Sequence, residues 1–211
     1  MFLSKVTITG ADNSIDPKDL VDLQEKYPFS EWGILFSKAK MATARYPSIS
    51  WLEKLAITKQ EFPKLCLSGH ICGRWVRDIC EGNWTILQDL SCMSIFDRFQ
   101  LNFHSYIHKI NQSKFIDGLL AVNKEFIFQL DDINNELLTI AKNNGVNASG
   151  LFDTSGGAGI VPESWPVSAA EWVGYAGGLN PDCLNEQLEE ISKVAHGKIW
   201  IDTETKVRTF E

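Results

Sequence analysis

Eight short apolar runs, spread along 211 residues and mostly followed by stretches of helical periodicity, constrain the fold more than any other feature. They occupy 3–9, 32–36, 65–68, 99–103, 126–130, 150–153, 172–176 and 199–202. Runs this short, bounded by turn residues, read as strands, and strands apolar on both faces belong in a parallel sheet covered by helices. After the first run, Ser14-Ile15-Asp16-Pro17 opens a helix whose apolar side is Leu20, Val21 and Leu23. The spacing predicts further helices over 50–57, 71–81 and 133–142, and an extra helical segment over 84–96 before the fourth strand. The last helix, Pro181 to His196, repeats apolar residues at Leu184, Leu188, Ile191 and Ala195.

An open doubly wound sheet and an eight-stranded barrel both accept this order. The Gly-x-Gly-x-x-Gly turn of the open sheet is absent after the first strand, and the count of eight favours closure. The expected fold is α/β, a (β/α)8 TIM barrel, as one domain over 1–211.

Composition narrows the partners. With 20 basic and 27 acidic residues the net charge is −7, which disfavours nucleic acid and anionic membranes as partners. No window approaches 18 consecutive apolar residues, and the first residues lack a signal-peptide pattern, so no membrane segment is expected. Five cysteines without C-x-x-C spacing suggest reduced thiols and a cytoplasmic protein. Cys66, His70 and Cys72 lack a matching second pair, so no metal is expected, and no cofactor motif stands out. The expected partner is an anionic small molecule, with the chain a monomer or homodimer.

In a barrel the chemistry sits at the C-terminal strand ends. Those positions carry Thr9, Ser37, Ser68 with His70, Asn102 with His104, Asp131 with Asp132, Asp153, Gly177-Gly178, and Asp202 with Glu204. Some of these cap the following helix, as Asp131 or Asp132 is placed to do before Ile133. Two stretches are more specific. Asp153 leads into a loop with Gly156, Gly157 and Gly159, and Gly177-Gly178-Leu179-Asn180-Pro181 repeats the strand-to-glycine pattern. Glycines let backbone N–H groups approach an anion, and a helix starting near Pro181 would add its positive end. The same glycines also serve plain turns. Trp165, in the long loop after the sixth strand, is a candidate for stacking on a ligand ring, while the other tryptophans read as core.

Across nearly its whole length the chain resembles phosphoribosylanthranilate isomerases. Val6-Thr7-Ile8-Thr9-Gly10 is similar to the family's V-K-I-C-G opening, and Trp32-Gly33-Ile34-Leu35-Phe36 with Ala44-Arg45-Tyr46 is similar to its GFIF…PRYV segment. Asp153 with Gly156-Gly157 resembles LDS…GGTG, Ala176–Pro181 resembles AGGLNP, and Ile201-Asp202 starts the counterpart of VDVSSGVE. The resemblance implies an Amadori rearrangement, in which a carboxylic acid protonates the sugar-ring oxygen and a thiolate removes the C2 proton. It puts Asp153 at the acid position, Thr9 at the base position and Arg45 where the substrate carboxylate binds. It also assigns substrate contacts to Gly156, Gly157, Gly177, Gly178 and Asn180.

Two positions depart from the family. Thr9 replaces the cysteine, and a hydroxyl cannot stand in for a thiolate without a strong neighbouring base. Asp12, His70 and His104 are the candidates for that base. Glu204 falls in the phosphate-binding stretch, where it would repel an anion unless it points away or pairs with Lys206 or Arg208. The expected function is therefore acid–base chemistry on a phosphorylated or carboxylated sugar-like molecule, with the parent isomerisation weak. The alternatives are binding of an anionic metabolite or nucleotide without turnover, and a structural role in a complex.

Overall fold

The computed structural model describes residues 1–89, 91–103, 110–153 and 158–207. Its eight strands pair in parallel, each with the next in the chain, and β1 (Phe2–Thr9) closes the ring on β8 (Lys198–Thr203). Between them come β2 (Ser30–Phe36), β3 (Leu67–Cys72), β4 (Arg98–Asn102), β5 (Glu125–Gln129), β6 (Ala148–Asp153) and β7 (Trp172–Ala176). The helices are α1 (Pro17–Lys26), α2 (Ile49–Glu61), α3 (Arg74–Cys80), α4 (Thr85–Asp89), α5 (Gln112–Val122), α6 (Asp132–Asn143) and α7 (Leu184–Val194). A 3₁₀ turn, Ser91–Ile95, follows α4.

Local signals act where the physics requires them. Asp16 caps α1 by accepting the Lys18 N–H, with Pro17 in the first turn. Ser48 caps α2 through the Trp51 N–H, and α5 ends on Asn123 in the left-handed region. The outward residues of the strands then meet the helices. Ile34, Phe36, Phe99, Leu101, Phe126 and Phe128 are buried with Leu52 and Leu55 of α2 and Phe115 and Leu119 of α5 in one apolar layer. Each fully buried side chain of this kind contributes about 1.5–3 kcal/mol.

Four sequence expectations are corrected. β3 continues through Cys72, and α3 begins only at Arg74, because Ser68, His70 and Cys72 turn into the barrel while Gly69 leaves room for the Phe99 ring outside. The helix α5, hidden by weak periodicity, covers the β4–β5 connection. The predicted helix from Pro181 starts at Leu184, after a turn. The β6–β7 connection carries no helix among its described residues, so alternation of eight strands with eight helices is not complete. Among the described residues no helix is long and apolar enough to cross a membrane.

The barrel interior is polar at its base. Glu31 of β2 and Arg98 of β4, both essentially without solvent exposure, form an ion pair with Nε–Oε distances of 3.0 and 3.1 Å. Lys5 and Thr7 of β1 also donate to Glu31, at 3.0 and 2.9 Å. Burial alone would raise the Glu31 pKa, but Arg98 first and Lys5 second outweigh it and hold the carboxyl at about 2. The Arg98 guanidinium also lies over the Trp200 ring, 4.5 Å from its centre.

Candidate functional site

At the other end of the barrel the strand ends enclose a cavity of about 640 Å³. Its inner wall is made by the last inward residues of consecutive strands: Cys72, Asn102, Gln129, Asp153, Ala176 and Asp202. Strand register sets this ring, since Cys72 pairs with Asn102, and Ala176 pairs with both Asp153 and Asp202. The two carboxyls thus flank one alanine, their backbones about 10 Å apart at ordinary strand spacing.

Their surroundings differ. Asp202 is buried, and its Oδ1 accepts the Thr9 hydroxyl at 2.6 Å. Burial pushes this carboxyl up to about 7; the Thr9 hydrogen bond pulls back in part, and the charge of Asp153 raises it again. Asp153 is half-buried and accepts from the Gln129 amide at 3.3 Å. One carboxyl is therefore poised to exchange a proton near neutrality beside another in a more polar setting. That is the pattern of an acid–base pair.

Gly33, the register partner of Thr9, explains how Thr9 reaches Asp202: a Cβ at position 33 would collide with the Thr9 hydroxyl. Thr9 itself does not line the cavity; it lies beneath, touching it through Asp202. The other candidates for the missing base are placed elsewhere. Asp12 accepts from Ser14 and from the Arg45 backbone N–H, and so braces a loop. His70 is buried below Asp202, its Nδ1 4.0 Å from Oδ2, and burial holds it neutral with a pKa of about 3. His104 lies outside the described residues. Cys72 does line the cavity, but burial pushes its thiol up to about 11, so it supplies no thiolate near neutrality.

The rim is charged. Lys40, Arg45 and Tyr46 come from the loop after β2, and Glu204 and Lys206 from the segment after β8. Arg45 has a left-handed backbone, φ 71°, secured by its N–H to Asp12, and its side-chain stem packs on Gly10. Its guanidinium pairs with the Glu204 carboxylate. The sequence offered Lys206 and Arg208 as partners for Glu204; the fold supplies Arg45, and Arg208 lies outside the described residues.

The glycine motifs divide. Gly156 and Gly157 lie outside the described residues. Gly177 and Gly178 line the cavity with φ of 121° and 63°, but the β6–β7 loop sits directly on them. A Cβ on Gly178 would stand 2.5 Å from the Val161 nitrogen and 2.8 Å from the Ile160 carbonyl carbon. Close backbone approach of that loop accounts for the glycine without an anion. Gly178→Ala is expected to cost about 1–3 kcal/mol by forcing this loop outward. A thermal melt checks it, and an unchanged midpoint would show that the loop yields freely.

Asn180 is not brought to the cavity. Its amide donates to the Gly178 carbonyl at 2.9 Å and accepts the Asp182 N–H at 3.0 Å, closing the turn before α7. Asp131 accepts the Asn134 N–H at 2.7 Å, a helix cap, and the Asp132 side chain lies outside what is described. Trp165 is core, donating to Gln187 at 2.9 Å and packing edge-on against Tyr175. Among the described residues no cluster of three or more His, Cys, Asp or Glu side chains is arranged to hold a metal.

Asp202 is the residue that sequence reasoning undervalued. It stood at a strand end but gave no sign of its burial or of Thr9 as its donor.

Comparison with known proteins returns no matching protein-family model and no matching curated protein. The likeness to phosphoribosylanthranilate isomerases therefore rests on the short motifs quoted above and on the parallel barrel.

Proposed function

We propose that the chain is a (β/α)8-type enzyme performing acid–base chemistry on a phosphorylated or carboxylated sugar-like molecule bound in the barrel mouth. The observation that carries this reading is the pair Asp153 and Asp202, flanking Ala176 in one cavity with different environments. Asp202, which burial keeps protonated up to a pH of about 7, serves as the acid toward an oxygen of the substrate. Asp153, in the more polar setting, takes the proton-accepting role that a hydroxyl at position 9 cannot fill, the reverse of the role that the resemblance gives it. Thr9 orients Asp202 through its hydrogen bond. The carboxamides of Gln100, Asn102 and Gln129 suit a ligand rich in hydroxyls, since each offers both donors and acceptors.

The test is solvent deuterium incorporation at the carbon next to the carbonyl, followed by proton NMR, over a panel of phosphorylated and carboxylated aldoses including phosphoribosylanthranilate. Incorporation is expected for at least one member, lowered about 10²–10⁴-fold in Asp202→Asn and in Asp153→Asn. Exchange at the natural rate in Asp202→Asn would remove that residue from the mechanism. The Arg45–Glu204 pair favours a second reading, binding without turnover, because the strongest cation of the rim is already engaged. A ligand that binds with no exchange under any condition would select it.

A further inference from the structure

Arg45 and Glu204 meet across the mouth from two separate loops, and they are not alone there. Lys40 and Lys206 stand on the same two loops and line the same cavity, and neither forms an ion pair among the described residues. Lys40 lies 5.3 Å from the centre of the Tyr46 ring instead. The rim thus gathers three cations around one internal carboxylate. Arg45 keeps its Nε buried, with no hydrogen-bond partner among the described residues, so its planar fork is only partly used. Asp12 holds the Arg45 backbone through its N–H, while Glu204 stands on the segment after β8, outside any helix or strand.

We propose that Glu204 is a built-in stand-in for the acid group of the ligand, and that an incoming oxyanion, carboxylate or phosphate, displaces it from Arg45 and is shared with Lys40 and Lys206. This rests on the reading of the mouth as a ligand site, but not on turnover. Displacement makes Glu204 a brake on anion affinity. The apparent affinity of any anion is its intrinsic affinity reduced by the fraction of molecules in which Arg45 is open. A half-buried Arg–carboxylate pair shifts that fraction modestly, so its loss is read as a factor rather than as a switch. A phosphate, with more charge and three acceptor oxygens, competes better for three cations than a carboxylate does. Glu204 therefore weakens every anion by one common factor, and the preference for dianions comes from the three cations.

The experiment is calorimetric titration of the intact protein with inorganic phosphate and, separately, with gluconate, a hydroxylated carboxylate without phosphorus. The natural chain is compared with Glu204→Gln, Glu204→Ala, Arg45→Gln and the double variant Glu204→Gln with Arg45→Gln. Both Glu204 variants are expected to bind each anion roughly three- to tenfold more tightly. The gain should be the same factor for both anions, and Arg45→Gln should abolish it in either background. The NMR signal of the Arg45 Nε–H should move on removal of Glu204 and again on adding phosphate. Unchanged or weaker binding in the Glu204 variants overturns the proposal, and so does a gain that survives Arg45→Gln. The titrations read anion binding with Asp153 and Asp202 intact and need no proton exchange, so the two readings fail separately.

Discussion

Arg98→Met is expected to destabilise the protein by about 3–5 kcal/mol, the usual cost of leaving one partner of a buried pair uncompensated. For a domain of this length that corresponds to a fall in melting temperature of roughly 6–20 °C. The reason is geometric: Glu31 has no solvent exposure and takes its charge balance from Arg98 and Lys5. The loss also removes the guanidinium from above Trp200 and the hydrogen bond from Arg98 to Thr7 at 3.3 Å. Adding Glu31→Gln to Arg98→Met should recover part of the stability, because the stranded charge is gone. A double variant as unstable as the sum of the singles would show that the pair is not coupled. The acid side of the stability curve follows from the same group. With its folded pKa lowered from 4.5 to about 2, Glu31 contributes stability that is present above 4.5 and lost as the pH falls toward 2.

The opposite sign governs Asp202, and the second large effect comes from it. Its folded pKa is raised from 3.8 to about 7, so the folded chain holds this proton more tightly than the unfolded one. That contribution is present in full below 3.8 and disappears as the pH rises through 7, where a buried carboxylate is left charged. Asp202→Asn is neutral at every pH and keeps an oxygen for the Thr9 hydroxyl. It should therefore melt higher than the natural protein at pH 8, by an amount on the order of 2–4 kcal/mol. The difference should shrink as the pH is lowered and vanish near 4. Melting curves at pH 4, 6 and 8 test this. A constant difference across that range would mean that Asp202 does not titrate in the folded protein. A variant that is more stable above neutrality yet inactive would mark Asp202 as a group kept for chemistry at the expense of stability.

How much of this was legible beforehand differs from element to element. Each of the eight apolar runs overlaps a strand, and the capping signals at Asp16-Pro17 marked the start of α1. The expected strand ended at Ser68 because Gly69 and His70 interrupt the apolar run, a rule that holds for a surface but not for a barrel wall with a polar interior. The helix α5 was missed because its apolar residues Phe115, Ile116 and Leu119 are interrupted by Gly118, placed there against Trp84. Of the site, Asp153 and Arg45 were visible as a carboxylate and a cation in suggestive settings. Their partners were not.

Local sequence set the period of the strands, the start of α1 and the polar character of the strand ends, because these depend on neighbours a few residues away. Only the tertiary structure decided that Thr9 donates to Asp202, 193 residues on, and that Arg45 meets Glu204. Closing the barrel lays β1 against β8, and that single pairing brings the first and last strands together. Burial then turned an ordinary aspartate into one that titrates near neutrality, and burial is a property of the surrounding fold rather than of the residue.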